Sequence, residues 1–154
     1  MTAAGNTLIG EGLAWGMRAI SNTEPLTQVE GTASIPAATI APYGDIRWQK
    51  IVVLMTDGDN DLGAGNYRYN ETTYSSYGRG GEVLANNRFG TNSPGAIMTQ
   101  LDNDMLAVCQ KLKDNDVALY VTSFGSGVSS TTRARLQSCA TEPSYYQHAT
   151  SSAD

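Results

Sequence analysis

One stretch constrains this chain more than any other: Lys50-Ile51-Val52-Val53-Leu54-Met55-Thr56, halted abruptly by Asp57-Gly58-Asp59-Asn60-Asp61. A continuous apolar run that is β-branched at its start reads as a strand buried on both faces, as in a parallel sheet. The Asp/Gly/Asn cluster after it is a strong turn signal. A parallel strand needs a crossover to reach its neighbour, so the flanking sequence should supply helices.

It does. Residues 7–21 place Ile9, Leu13, Met17 and Ile20 at helical spacing. Gly12 and Gly16 lie one turn apart there and would allow close packing, although both lower helix propensity. Residues 100–115 form a second helical pattern, with Leu101, Met105, Val108, Cys109 and Leu112 on one face. Val117–Ser123 reads as a second buried strand. Ser129 or Ser130 can cap a third helix running to about Ala140. Tyr145–His148 suits a short third strand. The alternation implies an α/β domain built on a parallel sheet. Residues 22–47 read as a connection, and residues 62–99 as a long Tyr/Gly/Asn-rich insertion in a single domain spanning 1–154.

Composition narrows the function. The chain has 154 residues and a formal net charge of −5, which disfavours a nucleic-acid partner, since that would call for a basic patch. No apolar run reaches the roughly 18 residues that span a bilayer. The two cysteines, Cys109 and Cys139, match no zinc-binding spacing. Spacing leaves a disulfide and a pair of reduced core thiols equally open.

Asp57 stands at the carboxyl end of the most apolar strand, where open α/β sheets bind ligands. A carboxylate there suits a hard cation such as Mg2+. It equally suits a turn aspartate satisfied by backbone N–H groups.

The run KIVVLMTDGDN resembles the fourth strand and following turn of von Willebrand factor A domains, where a Thr-Asp-Gly turn supplies an aspartate to a metal-ion-dependent adhesion site. The match at Thr56-Asp57-Gly58 carries that role onto Asp57. Gly5-Asn6-Thr7 before a helix resembles the loop that supplies the site's threonine, and carries that role onto Thr7. The pattern Gly-Leu-x-Trp-Gly-x-Arg at Gly12–Arg18, Cys109 in a helix before VALYVTSFG, and then Leu136, Cys139-Ala140 and Tyr145-Tyr146 together resemble the C-terminal part of TadG-like proteins of bacterial tight-adherence (Flp) pilus assembly. The likeness covers most of the chain outside 22–47 and 62–99. The family's Asp-x-Ser-x-Ser, on its first and central strand, is absent, and the sequence begins after the place where it belongs.

The resemblance implies a Rossmann-like three-layer fold of the von Willebrand factor A type, here incomplete for want of the first strand. It implies a protein-binding, adhesion-type module and no enzyme. Mg2+, Mn2+ or Ca2+ would bridge Thr7 and Asp57 of the complete domain to an acidic side chain of a pilus or assembly component. This chain by itself should hold the cation weakly or not at all. The resemblance also implies a location outside the cytoplasm, in the periplasm or cell envelope, with a membrane-anchored parent. That compartment favours a Cys109–Cys139 disulfide. A missing first strand would leave residues 50–56 with an open edge, so a homodimer through that edge, or cover from residues 22–47, is expected.

Other readings compete for the same residues. Asp57-x-Asp59 after a buried strand resembles haloacid-dehalogenase-like phosphotransferases, with Asp57 as nucleophile and Asp59 as acid/base. Asp61 would oppose phosphate there. An EF-hand loop starting at Asp57 fails, since Leu62 and Arg68 stand where Gly and Glu are needed. Asp59 and Asp61 then read as a solvated acidic rim. His148 is the only histidine and no Gly-x-Ser-x-Gly elbow occurs, so a hydrolytic triad has little support. Tyr67, Tyr69, Tyr74 and Tyr77, with Asp59, could form a recognition loop, or the tyrosines could simply be scattered along an insertion.

Overall fold

The computed structural model describes residues 7–23, 26, 28–29, 38–61, 68–69, 72–75, 78–79, 89–91 and 93–150. In chain order the elements are α1 (Ile9–Ala19), β1 (Gln28–Val29), β2 (Ala38–Thr39), β3 (Ile51–Thr56), β4 (Arg68–Tyr69), β5 (Thr72–Ser75), β6 (Gly78–Arg79), α2 (Pro94–Lys113), β7 (Ala118–Phe124), α3 (Ser130–Cys139), a 3-10 turn (Pro143–Tyr145) and β8 (Tyr146–Ala149). The principal sheet has the order β3-β7-β8 and is parallel throughout. Ile51 lies opposite Ala118, and Val121 opposite Tyr146. The alternation of helix and strand expected from the sequence is therefore present, with β1-β2 and β4-β5-β6 added as small antiparallel sheets.

Local chemistry sets the helix ends. Glu11 sits in the first turn of α1 and Arg18 in its last, each favoured by the helix dipole. Pro94 opens α2, where its missing N–H costs nothing. The helix thus starts before residue 100, inside the stretch expected to be insertion. Lys111 and Lys113 occupy its last turn. Between α2 and β7, Asp116 adopts a left-handed backbone with φ 57°, which Asp tolerates better than most residues. Ser129 caps α3 by accepting the Thr132 N–H at 3.1 Å.

The three helices cover one face of the sheet. Leu119 and Val121 of β7 point into a core with Leu13, Met105, Leu112 and Leu136. On the other face the side chains of β3 are exposed. Ile51, Val53 and Met55 are 52%, 63% and 62% exposed, and Tyr120 beside them stacks on Tyr145 with ring centroids 4.2 Å apart. The expectation of a strand buried on both faces is corrected on this point. The described residues form an α/β domain, a three-stranded parallel sheet with flanking helices compatible with a Rossmann-like fold, in which all three helices pack against the side marked by Leu119 and Val121.

Close packing between α1 and α2 also departs from expectation. A Cβ added at Gly12 or Gly16 would meet nothing within 4 Å, whereas one at Gly10 would lie 3.1 Å from the Met105 backbone. Gly10 lets the helices approach, while Gly12 is exposed. The cysteines are joined: a Cys109–Cys139 disulfide ties α2 to α3, with Cα atoms 5.2 Å apart. No described helix is long and apolar enough to cross a membrane.

Candidate metal-binding site at the carboxyl end of the sheet

β3 ends at Thr56, whose side chain closes the turn that follows. Its hydroxyl donates to the Gly58 carbonyl at 3.0 Å and accepts the Gly58 N–H at 3.4 Å. Asp57, between them, is exposed. Two other loops converge on this turn. Thr7, just before α1, places its Oγ1 3.5 Å from where a Gly58 Cβ would be, and its carbonyl accepts the Asp61 N–H at 2.9 Å. From the β7–α3 connection, Gly127 approaches so closely that a Cβ there would lie 3.0 Å from the Asp57 carbonyl oxygen. A side chain there would press on the Asp57 backbone. The two residues singled out as cation ligands, Thr7 and Asp57, therefore belong to adjoining loops at one end of the sheet.

Of the two acids expected to form a solvated rim, Asp61 is exposed and Asp59 is half-buried. Asp59 Oδ1 accepts the Ser129 N–H at 2.8 Å, at the N-terminus of α3. Burial acts to raise the Asp59 carboxyl. The Ser129 backbone and hydroxyl, Thr132 and the Arg135 charge outweigh it and hold the group below the ordinary carboxylate range. A carboxylate at a helix N-terminus is stabilised by the unpaired N–H groups there. Asp59 is thus tied to the start of α3, while Asp57 and Asp61 are the exposed acids of the turn.

Asn60 was not singled out from the sequence, yet it organises the site. It is 3% exposed. Its Oδ1 accepts the Ile9 N–H at 2.8 Å and its Nδ2 donates to Asp102 Oδ1 at 2.8 Å. Asp102, on α2, pairs through Oδ2 with Arg135 Nη1 of α3 at 2.6 Å. Leu8, at the N-cap position of α1, offers no side-chain cap, and Asn60 supplies one from 51 residues away. The β3 turn is thereby tied to all three helices. The signal for this was slight: an Asn at the end of a strand offers a donor and an acceptor together, and the Asp residues flanking it do not.

The remaining candidates take no part in the contacts described above. Tyr69 falls in β4 and Tyr74 in β5, whereas Tyr67 and Tyr77 lie outside the described residues. His148 Nδ1 and the Tyr146 hydroxyl both meet Ser123 Oγ at 2.9 Å. Ser123 is wholly buried, so this group closes the core at the strand ends.

Thr7 brings a hydroxyl and Asp57 an exposed carboxylate to this end of the sheet, the hard oxygen chemistry that a cation such as Mg2+ takes. Among the described residues no cluster of three or more His, Cys, Asp or Glu side chains could enclose a metal. The donor set suits a cation that keeps most of its water or draws ligands from elsewhere. No family of known proteins, no curated protein and no solved structure matches this chain.

Proposed function

We propose that this chain is the cation-binding, carboxyl-terminal part of a von Willebrand factor A-like protein-binding module of the TadG type, acting in pilus assembly outside the cytoplasm. The observation that carries the proposal is the meeting of Thr7 with the Asp57-Gly58 turn at the carboxyl end of β3. Asp57 would supply the anionic ligand and Thr7 a neutral one. A bound divalent cation would contribute an open coordination position for an acidic side chain of a protein partner. The turn itself is held by groups that need no metal: Thr56 closes it, Asn60 and Asp61 tether it to the start of α1, and Asp59 anchors it to α3. The Cys109–Cys139 disulfide favours an oxidising compartment. The phosphotransferase alternative would use Asp57 as nucleophile and, as acid/base, Asp59, whose Oδ1 accepts the Ser129 N–H.

With two ligands in the chain, affinity for Mg2+ should be weak. Paramagnetic Mn2+ reports weak binding. In a 15N-labelled sample, Mn2+ should broaden the amides of Thr7, Asp57 and Gly58 first, and Asp57→Ala should abolish that pattern. Broadening centred on any other acidic group would sink the assignment. A phosphatase screen with Asp57→Asn as control distinguishes the enzymatic alternative.

A further inference from the structure

We infer that Asn60 is a positioning residue whose side-chain amide sets the spacing between Thr7 and Asp57, and with it the affinity for a cation, under the control of Asp102 and Arg135. The inference rests on the cation reading above and names what regulates that site. Asn60 follows Asp57 by three residues in the β3 turn, and Ile9, whose N–H it accepts at 2.8 Å, follows Thr7 by two. A second bond runs beside the first, from the Asp61 N–H to the Thr7 carbonyl at 2.9 Å. The two bonds clip the segment that carries the hydroxyl to the turn that carries the carboxylate. Thr56 and Asp59 hold the turn to itself and to α3, whereas this clip reaches the Thr7 segment. With two protein ligands, the second contributes only if it is already held within reach of the first. A loosened clip leaves the Asp57 carboxylate to bind alone.

The Asn60 amide can face only one way. Turned over, its Nδ2 would meet the Ile9 N–H, donor against donor, and its Oδ1 would meet the Asp102 carboxylate, acceptor against acceptor. The buried Asp102 carboxylate, which accepts from Asn60 Nδ2 at 2.8 Å, therefore orients the amide. Arg135 Nη1 meets the other Asp102 oxygen at 2.6 Å, which keeps Oδ1 turned towards Asn60. Charge-assisted bonds of this kind are stronger than neutral ones. A chain of contacts thus runs from α3 through α2 to the turn, and it acts on the backbone that presents the two ligands. Groups that orient a metal's ligands from behind typically cost about 10–100-fold in affinity when lost.

Exchanging the two side chains tests the inference on the whole chain. Asn60→Asp sets two carboxylates against each other and removes the donor to Asp102. Adding Asp102→Asn reverses the roles at unchanged net charge. The amide at position 102 then donates to the carboxylate at position 60 and keeps its oxygen for Arg135, while position 60 still accepts the Ile9 N–H. The Mn2+ concentration that half-broadens the Thr7 and Asp57 amides should rise about ten-fold in Asn60→Asp and return to the wild-type value in the exchanged pair. These signals come from the folded chain, so a loss of stability by itself does not move them. Asn60→Ala removes both bonds without opposing charges, and should show the same rise even if Asn60→Asp does not fold. In the metal-free chain, hydrogen exchange at the Asp61 amide should be faster in Asn60→Ala and normal in the exchanged pair. A wild-type chain that shows no broadening at Thr7 and Asp57 overturns the cation reading and this inference with it. Wild-type broadening there that is matched by Asn60→Ala overturns this inference alone, as does an exchanged pair that stays as weak as Asn60→Ala.

Discussion

Asp59 shows how one carboxylate can serve the loop and a helix together. Its lowered pKa arises because, against burial, the N-terminus of α3 and Arg135 favour the charged form. The sign of the pH dependence follows. A group with a depressed folded pKa contributes stability that is complete above its unfolded value, about 4, and is lost as pH falls through the folded value. Asp59→Asn keeps an acceptor for the Ser129 N–H but loses the charge. The variant should therefore be less stable than wild type at pH 7, and the gap should shrink as pH falls below 4. Urea midpoints measured from pH 7 to pH 2.5 test this. A gap that stays constant across that range would show that the Asp59 charge contributes nothing.

At the scale of elements, the periodicity of the sequence carried most of the pattern. Ile9 and Leu13 on α1, Met105, Cys109 and Leu112 on α2, and Leu119 and Val121 on β7 were legible as core, because burial repeats at helical or strand spacing. Ser129 was legible as a cap because its hydroxyl can accept an N–H of the first turn. What one strand's sequence could not reveal is how many faces its neighbours cover. Val52 and Leu54 are packed against the core while Val53 and Met55 are bare, yet all four are apolar. The glycines of α1 were ambiguous for a related reason. A Gly offers close approach, but only the partner helix decides which one is used. The two cases separate by mutation. Gly12→Ala, in open space, should stabilise by about 0.5–1 kcal/mol through helix propensity. Gly10→Ala should destabilise, because its Cβ would press on the Met105 backbone at 3.1 Å. Thermal unfolding of the two variants checks the pair, and a Gly10→Ala protein as stable as wild type would contradict the packing described.

Over the whole molecule, the site was partly legible for a physical reason. Asp57 follows from a strand end, which sequence marks well, whereas Thr7 is named only through a resemblance to a known family. The Asn60–Asp102–Arg135 chain joins residues from three elements, and only the folded geometry brings them together. The disulfide belongs to the same scale, since it binds α2 to α3 on either side of β7 in the sequence. Its partners are 30 residues apart, a loop whose closure is worth about 3–4 kcal/mol in the chain-entropy model. The double variant Cys109→Ser/Cys139→Ser should lose stability of that order, read as a lower urea midpoint. An unchanged midpoint would mean that the link constrains nothing in the unfolded chain.

The disulfide also bears on the order of assembly. Ser123 and His148, partners across β7 and β8, are 25 residues apart, whereas Gln49 and Asp116, hydrogen-bonded just below the β3–β7 ladder, are 67 apart. Bringing distant segments together costs more chain entropy than bringing near ones together, and slows the search. A covalent link that encloses β7 restricts the part of the chain that β3 must find. The oxidised protein should consequently refold faster as well as unfold later than the serine variant, and both arms of a single denaturant-jump series would record it. On this account the Cys109–Cys139 bond is a kinetic aid to threading a distant strand onto its neighbour.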